Sequence, residues 1–309
     1  MSIVKKAIVT GGAGFIGSHL CCALNMQNIR VLAFDDLSVG KASNLDSGID
    51  LIKDDVLNME SLKEAALGCD IMFHLAARVT IRGSVETYLE DSKTNLLGTL
   101  SAIKAASQAG CKAVIFASSM AVYADSPTPC PLSESYLIEP ISPYGISKSA
   151  AEKYLFMLGP KVGLRTAALR LFNTFGPGQV FTPYVGVITI FIHRLLEGLP
   201  PVIFGDGEQR RDFIHVDDVI KAFLAVMNSD INGIAINIGT QTATSVNQIA
   251  EMLTAKIAPS MKPVREPARP EELRNSVADI TLAKKLFGFD PKARLETYID
   301  EVFSEIKRR

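Results

Sequence analysis

Residues 7–24 read AIVTGGAGFIGSHLCCAL, and their interpretation decides the fold. A short β-branched run meets a glycine turn and then a helical pattern, so the stretch is a strand, a turn and a helix in immediate succession. Gly12, Gly14 and Gly17 satisfy GxGxxG, and Gly11 adds the overlapping GxxGxxG spacing. The spacing has a physical purpose. Backbone N–H groups must approach a pyrophosphate at the helix N-terminus, where the dipole favours negative charge and a Cβ would obstruct contact. A lone GxGxxG is weak evidence, but the next apolar run ends in VLAFDDL and places Asp35 18 residues beyond Gly17. That is the range for a carboxylate that bonds the adenine ribose hydroxyls. Such a carboxylate repels a 2′-phosphate, so the pattern favours NAD over NADP. Asp55 and Val56 follow the third apolar run; they flank the adenine, or DDVLNMESL is an ordinary helix cap, and both readings stay open.

Outward from this unit, short β-branched runs near 4–9, 30–34, 49–53, 71–74, 112–117 and 164–170 alternate with longer helical patterns. Alternation of this kind predicts an α/β fold of Rossmann type, a doubly wound parallel sheet covered on both faces. Beyond about residue 172 the texture changes to FNTFGPGQVFTPYVG, followed by helical patterns near 187–197, 217–228, 245–256 and 295–307. This reads as a smaller C-terminal α/β lobe facing the strand ends. PSMKPVREPARPEEL lies between strongly patterned helices and reads as an ordered loop.

Bulk properties narrow the partners. With 309 residues, 48% of them hydrophobic, the chain buries a large core. Its 32 Lys and Arg balance 33 Asp and Glu, which leaves no electrostatic footprint for nucleic acid or an anionic membrane and favours a small-molecule partner. Five cysteines, odd in number and without CxxC or Cys/His ligand spacing, indicate reduced thiols, no structural metal and a cytoplasmic location. No apolar stretch reaches membrane-spanning length, and glycines interrupt the first apolar run too early for a signal peptide. None of His19, His74, His193 and His215 has metal-ligand spacing, and none is assigned to catalysis.

SPYGISKSAAEKYLFML places Tyr144 and Lys148 four apart, on one helical face. A phenol is a poor base at neutral pH, and a nearby ammonium is expected to lower its pKa. Tyr-x-x-x-Lys alone is common on helix surfaces. It gains weight from the hydroxyl pair in ASSMAVY, residues 117–123, which precedes it in a chain that already carries a dinucleotide fingerprint.

TGGAGFIG, the acid pair after the second strand, HLAA, SSMAVY, YGISK, RLFNTFGPGQ, IFGDGEQRRDFIHVDD and RPEELRNSVADI form an ordered set spanning about residues 4–298. The set resembles the extended short-chain dehydrogenase/reductase superfamily, and within it the nucleotide-sugar 4-epimerases of the UDP-glucose 4-epimerase type. The resemblance implies a Rossmann domain over 1–172, which also receives a strand and helix from about 213–240, and a nucleotide-sugar lobe over most of 173–309. It implies NAD held by Gly11, Gly14, Phe15, Ile16, Gly17, Asp35, Asp36, Ser38, Gly40, Asp55, Val56, Leu75, Ala76, Ala77, Tyr144, Lys148 and Phe172. It makes Tyr144 the acid/base, Lys148 the group that orients the nicotinamide ribose, and Ser119 the donor to the reacting sugar oxygen. For a UDP-sugar it implies Asn173, Val187, Arg211, Phe213 and Arg269, a uracil shelf at Val202 and Phe204, and Ser276 where a bulky gatekeeper stands in enzymes restricted to glucose and galactose. A serine there leaves room for an acetamido group.

Related dehydratases and decarboxylases carry Asp or Glu after the Ser/Thr, because elimination needs an extra acid and base. Here those positions are Met120 and Ala121, so reversible hydride transfer through a 4-keto sugar is the implied reaction. Uronate 4-epimerases are the second reading; they tend to carry Thr where Asn173 stands and an Arg near GPGQ, whereas this chain has Gly178 and no arginine between Arg170 and Arg194. A non-catalytic NAD-sensing scaffold is the reading from another class. Family members pair two helices per subunit, which implies a homodimer built on YLEDSKTNLLGTLSAIKAASQ and on the helix that ends in YLFML, a segment apolar on all sides.

Overall fold

A computed structural model describes residues 4–79, 86–128, 130–181, 186–268 and 273–308. Strands β1 (Lys6–Thr10), β2 (Arg30–Asp35), β3 (Asp50–Lys53), β4 (Ile71–His74), β5 (Ala113–Ser119) and β6 (Arg165–Leu171) alternate with helices α1 (Phe15–Met26), α2 (Met59–Ala66), α3 (Tyr88–Ser92), α4 (Gly98–Gln108) and α5 (Pro143–Leu158). The chain leaves this layer through β7 (Asn173–Phe175), α6 (Val187–Leu196), β8 (Val202–Phe204), β9 (Arg210–His215) and α7 (Val216–Met227), then re-enters it with β10 (Ile234–Ile238). It finishes with β11 (Ala243–Ser245), α8 (Val246–Ile257), β12 (Val264–Glu266), β13 (Asn275–Ser276), α9 (Thr281–Phe287) and α10 (Leu295–Arg308). Among the described residues no helix is long and apolar enough to cross a membrane.

Seven strands pair in the order β10-β6-β5-β4-β1-β2-β3, every pair parallel. The winding reverses at β1, and a ligand crevice opens at the strand ends on either side of such a reversal. Alternation along β1 shows why both faces are covered. Ala7 and Val9 join a core with Leu20 and Leu24 of α1 and Val219 and Phe223 of α7. Ile8, between them, joins the opposite core with Leu62 of α2, Ala102 of α4 and Leu155 of α5. Each large apolar side chain buried this way contributes about 1.5–3 kcal/mol.

A third core lies in the C-terminal lobe, where Phe191 and Ile192 of α6, Ile203 of β8, Phe213 of β9, Ile249 of α8 and Ile299 of α10 meet. Here β9 is flanked by β11 and β13 and also pairs with β7. Because β7 follows β6 after the single residue Phe172, the end of the main sheet and the lobe's sheet meet at one edge. That junction forms the floor of a cleft.

Two local features differ from the sequence reading. β5 runs on to Ser119, so the hydroxyl pair ends the strand and Ser119 caps the single turn at Met120–Val122, accepting from Ala121 N at 3.2 Å. The expected continuous helix over 88–108 is interrupted at Lys93–Leu97 by a π-helical turn. This turn aims the side chain of Asn95 inward, where it accepts from Arg78 N at 2.8 Å and donates to Arg78 O at 3.1 Å and Ser147 Oγ at 3.3 Å. Such bulges are frequent at functional sites.

Candidate active site

One cavity of about 1150 Å³ runs along the carboxyl ends of the strands and into the cleft below the lobe. A pocket for a single small molecule is commonly about 300–1,000 Å³, so this one has room for a dinucleotide and a second ligand.

At one end the first glycine turn forms the wall. Gly11 has φ +68°, and a Cβ on it would meet the Ala76 backbone at 2.7 Å. Gly17 is closer still: its Cβ would lie 2.0 Å from Gly11 O. Helix α1 then starts from Gly14 with no side-chain cap and no acid in its first turn. By contrast, α5 is capped by Ser142, which accepts from Gly145 N, and α8 carries a full capping box of Ser245 and Gln248. An uncapped, glycine-lined N-terminus facing a cavity fits a dinucleotide pyrophosphate. The Asp35 carboxylate accepts from Ala13 N at 3.0 Å and Leu37 N at 2.8 Å, which pins the end of β2 to the turn. Burial raises its pKa, and those two backbone donors oppose the rise. Asp36 accepts from Ser38 N and Ser38 Oγ and shapes the next turn. Every cofactor candidate drawn from the sequence lies in the cavity wall.

Toward the lobe the wall carries Ser119, Tyr144 and Lys148. Helix α5 seats this set. Gly145 packs so tightly on the turn after β5 that a Cβ would come within 2.1 Å of Ala121 O. Tyr144 and Lys148 are both buried, and Lys148 Nζ donates to Ala117 O at 2.9 Å while lying 4.6 Å from the centre of the Phe116 ring and 5.9 Å from that of Tyr144. Burial pushes the phenol of Tyr144 up to about 12; a hydrogen bond from Ser119 opposes this and the Asp91 carboxylate adds to it. The expected depression by Lys148 is therefore not what the protein alone provides. Burial also holds the Lys148 amine down at about 7, against an opposing pull from the Glu152 carboxylate.

His74, at the end of β4, is bracketed by Thr10 Oγ1 at 2.7 Å and Thr99 Oγ1 at 3.0 Å. Thr99 already donates to Asn95 O, so the bonding pattern assigns the proton to Nε2 and leaves Nδ1 as acceptor. Burial lowers its pKa to about 3, with Lys148 contributing in the same direction. It is a neutral structural histidine.

The substrate candidates divide. Asn173, Val187, Arg211 and Phe213 line the cavity. Asn173 Oδ1 is buried without a hydrogen-bond partner, an arrangement that costs about 1–3 kcal/mol and suits a ligand donor. Val202 and Phe204 do not reach the wall. They flank Ile203, which points into the lobe core, so alternation turns them to the other side of β8, where both are half-buried. Ser276 is also absent from the wall: it is fully enclosed in β13 opposite Arg211, and its Oγ has no partner. Arg269 lies outside the described residues.

Sequence reasoning missed Arg78, Thr94, Gln179, Val246 and Leu273, which also line the cavity. Arg78 donates to the buried Asp91 carboxylate at 3.2 Å. It directly follows HLAA, and a cation just past a strand end was a usable signal. Val246 and Leu273 carried none, since tertiary packing alone brings them there.

An uncapped glycine turn that opens on the cavity, a carboxylate at the end of β2 in the same wall, and a Tyr–Lys pair seated against a strand-end serine fit a dinucleotide enzyme of the short-chain dehydrogenase/reductase type. Comparison with known proteins gives the same class and narrows it. The model of the NAD dependent epimerase/dehydratase family matches residues 7–239, and the chain belongs to that family, whose cofactor is NAD. It is 34% identical over 301 residues to the putative UDP-glucose 4-epimerase of Methanocaldococcus jannaschii, covering 97% of this chain and 98% of that one. The UDP-glucose 4-epimerase of Thermotoga maritima, solved with UDP-glucose, superposes with a TM-score of 0.94 at 35% identity, covering 98% of this chain and 99% of its own. A UDP-N-acetyl-alpha-D-glucosaminuronate decarboxylase of Bacillus cytotoxicus is 33% identical over 98% of this chain and 99% of its own. Family membership therefore leaves the reaction type to the residues at the site.

Proposed function

We propose that this protein is a 4-epimerase of UDP-hexoses that holds its NAD through turnover, with UDP-glucose and UDP-galactose as one substrate pair and their N-acetylated counterparts as a second. The observation that carries the reading is the turn after β5. Met120 and Ala121 line the cavity beside Ser119 and Tyr144, and neither side chain can take up or release a proton. A decarboxylase or dehydratase needs more acid–base capacity there than Ser119, Tyr144 and Lys148 supply. The uronate alternative lacks a cation in the 175–179 loop, where Gly178 N is instead tied to Glu305 Oε2 at 2.8 Å.

Bound NAD supplies a hydride acceptor that returns the hydride to the opposite face of the sugar, so no net oxidation occurs. The remaining work falls to the chain. Ser119 holds the C4 oxygen, Tyr144 takes the C4 hydroxyl proton and later restores it, and Lys148 supplies positive charge beside the phenol. Arg211 faces the nucleotide diphosphate and Asn173 the diphosphate or the sugar, while Ser276, enclosed in β13, sends no bulky side chain into the cavity.

Incubation with UDP-galactose in the absence of added NAD, read by chromatography and mass spectrometry, is expected to yield UDP-glucose. UDP-GlcNAc is expected to give UDP-GalNAc at a rate within about tenfold, because Ser276, enclosed in β13, puts no ring into the cavity, and a rigid ring opposing the acetamido group would cost about 1–3 kcal/mol. Release of CO₂ from a uronate substrate, or loss of water from any of these sugars, would overturn the assignment. Turnover of the hexose pair with no turnover of UDP-GlcNAc would remove only the N-acetylated part.

Assembly belongs to the same proposal. Leu89 and Leu97 on the 88–108 helical segment and Ile146, Tyr154 and Met157 on α5 are exposed apolar side chains on helices that pack side by side. A second copy of the chain covers them by pairing its own two helices in a four-helix bundle. Light scattering at micromolar concentration is expected to give the dimer mass; a monomer would refute it.

A further inference from the structure

The buried face of α5 presents Tyr144, Lys148 and Glu152 at successive turns, and all three engage the last three residues of β5. Tyr144 meets the Ser119 hydroxyl, Lys148 Nζ donates to Ala117 O at 2.9 Å, and Ser118 Oγ donates to Glu152 Oε1 at 2.5 Å. Two of these three contacts belong to the chemistry. Glu152 is buried and has no task in the reaction as described.

Its other contacts are equally specific. Arg170 of β6 donates through Nη2 to Oε2 at 2.7 Å and through Nε to Oε1 at 3.0 Å. The guanidinium also donates through Nη1 to Tyr123 OH at 2.9 Å, and Tyr123 donates to Asn237 Oδ1 at 2.6 Å. Asn237 in turn donates to Leu132 O and Asp279 O. The carboxylate is thus held rigidly between β5, β6 and α5, one helical turn beyond the amine.

We propose that Glu152 is a positioning residue of the acid–base centre, acting through Lys148 and held for that purpose by Arg170 and Ser118. The inference rests on the hydride and proton chemistry proposed above. A carboxylate one turn away on the same buried face keeps the Lys148 ammonium charged against the burial that would discharge it. Glu152 raises the pKa of Lys148, while burial lowers it. The other groups around the pair do not take this role. His74 is neutral, Tyr123 is pushed up to about 12 by burial, Asp91 acts on Tyr144, and Glu134 accepts from Asn237 N on the far side of Arg170. Arg170 is a cation and repels the ammonium. Glu152 is the anion on the helical face of Lys148.

The sign follows from the amine. Ammonium is present below the Lys148 pKa and lost above it, so activity falls on the alkaline side as the amine discharges. Removing the Glu152 charge makes discharge easier and moves that limb to lower pH. The test is the pH profile of kcat for UDP-galactose with Glu152→Gln and Glu152→Asp, with NAD content and melting temperature measured alongside. The Gln variant is expected to shift the alkaline limb down by roughly one unit, the lower end of the effect of a neighbouring opposite charge. The Asp variant keeps the charge but withdraws it by one methylene, and its limb is expected to lie between wild type and Gln.

A merely structural Glu152 would lower kcat or the melting temperature by the same factor at every pH, and an unmoved limb in an active Gln variant overturns the proposal. If the Gln variant does not fold, the Asp variant decides, and a limb coincident with wild type overturns it. An inactive wild-type protein would instead sink the epimerase reading, so the two failures are distinguishable.

Discussion

Changing Tyr144 to phenylalanine is expected to lower the conversion of UDP-galactose by about 10²–10⁴-fold, the range that one positioned acid–base group contributes. The substitution removes a single oxygen from a buried ring and leaves the packing of α5 on the turn after β5 in place. Nucleotide content and melting temperature should therefore stay near wild type. The loss should be in kcat, because the phenol exchanges its proton in the transition state and does little for ground-state binding. A phenol pushed up to about 12 makes this dependence strict, since its proton leaves only when positive charge is brought beside it. Conversion at the wild-type rate would remove the mechanism and return the protein to a dinucleotide-binding scaffold.

Gly17→Ala should act on the cofactor instead. The new methyl would lie 2.0 Å from Gly11 O and 2.8 Å from Gly11 C, and both are backbone atoms that no rotamer change can clear. The turn has to open, and opening it moves the N–H groups of the uncapped helix away from the pyrophosphate. Overpacking of this kind costs about 1–3 kcal/mol, equivalent to about ten- to hundredfold in affinity. The variant is expected to purify with most of its NAD missing, as measured by chromatography of nucleotide released on denaturation. Its activity should recover partly when NAD is added. A full complement of NAD in the variant would show that the glycine turn is not the pyrophosphate cradle.

How much of this was legible beforehand follows the range over which each feature is determined. The six strands that open the main sheet, the glycine turn and the Tyr144–Lys148 spacing are local patterns, and local patterns can be read from short windows. The π-helical turn that directs Asn95 inward carries no residue-type signature in KTNLL, because the partners that hold Asn95 there, Arg78 and Ser147, lie 17 and 52 residues away. Val202 and Phe204 read as a shelf, yet the choice of which side of β8 faces the cavity is made by Ile203 entering the lobe core, a tertiary preference. Ser276 is enclosed by its pairing with β9, which lies 65 residues away at Arg211, and nothing local distinguishes an enclosed serine from one at a cavity wall. The pKa of Tyr144 was misjudged for the same reason: the proximity of Lys148 was visible, but the burial that raises the phenol and lowers the amine was not.

The contact between Gly145 and the turn after β5 has a consequence for how such enzymes diverge. It is the carbonyl of Ala121, a main-chain atom common to every amino acid, that abuts the helix carrying the phenol and the amine. The side chains at 120 and 121 also line the cavity, and Met120 in addition packs into the core beside Val122. A change of side chain at Ala121 therefore alters the groups that face the cavity while the main-chain contact that seats Tyr144 and Lys148 stays where it is.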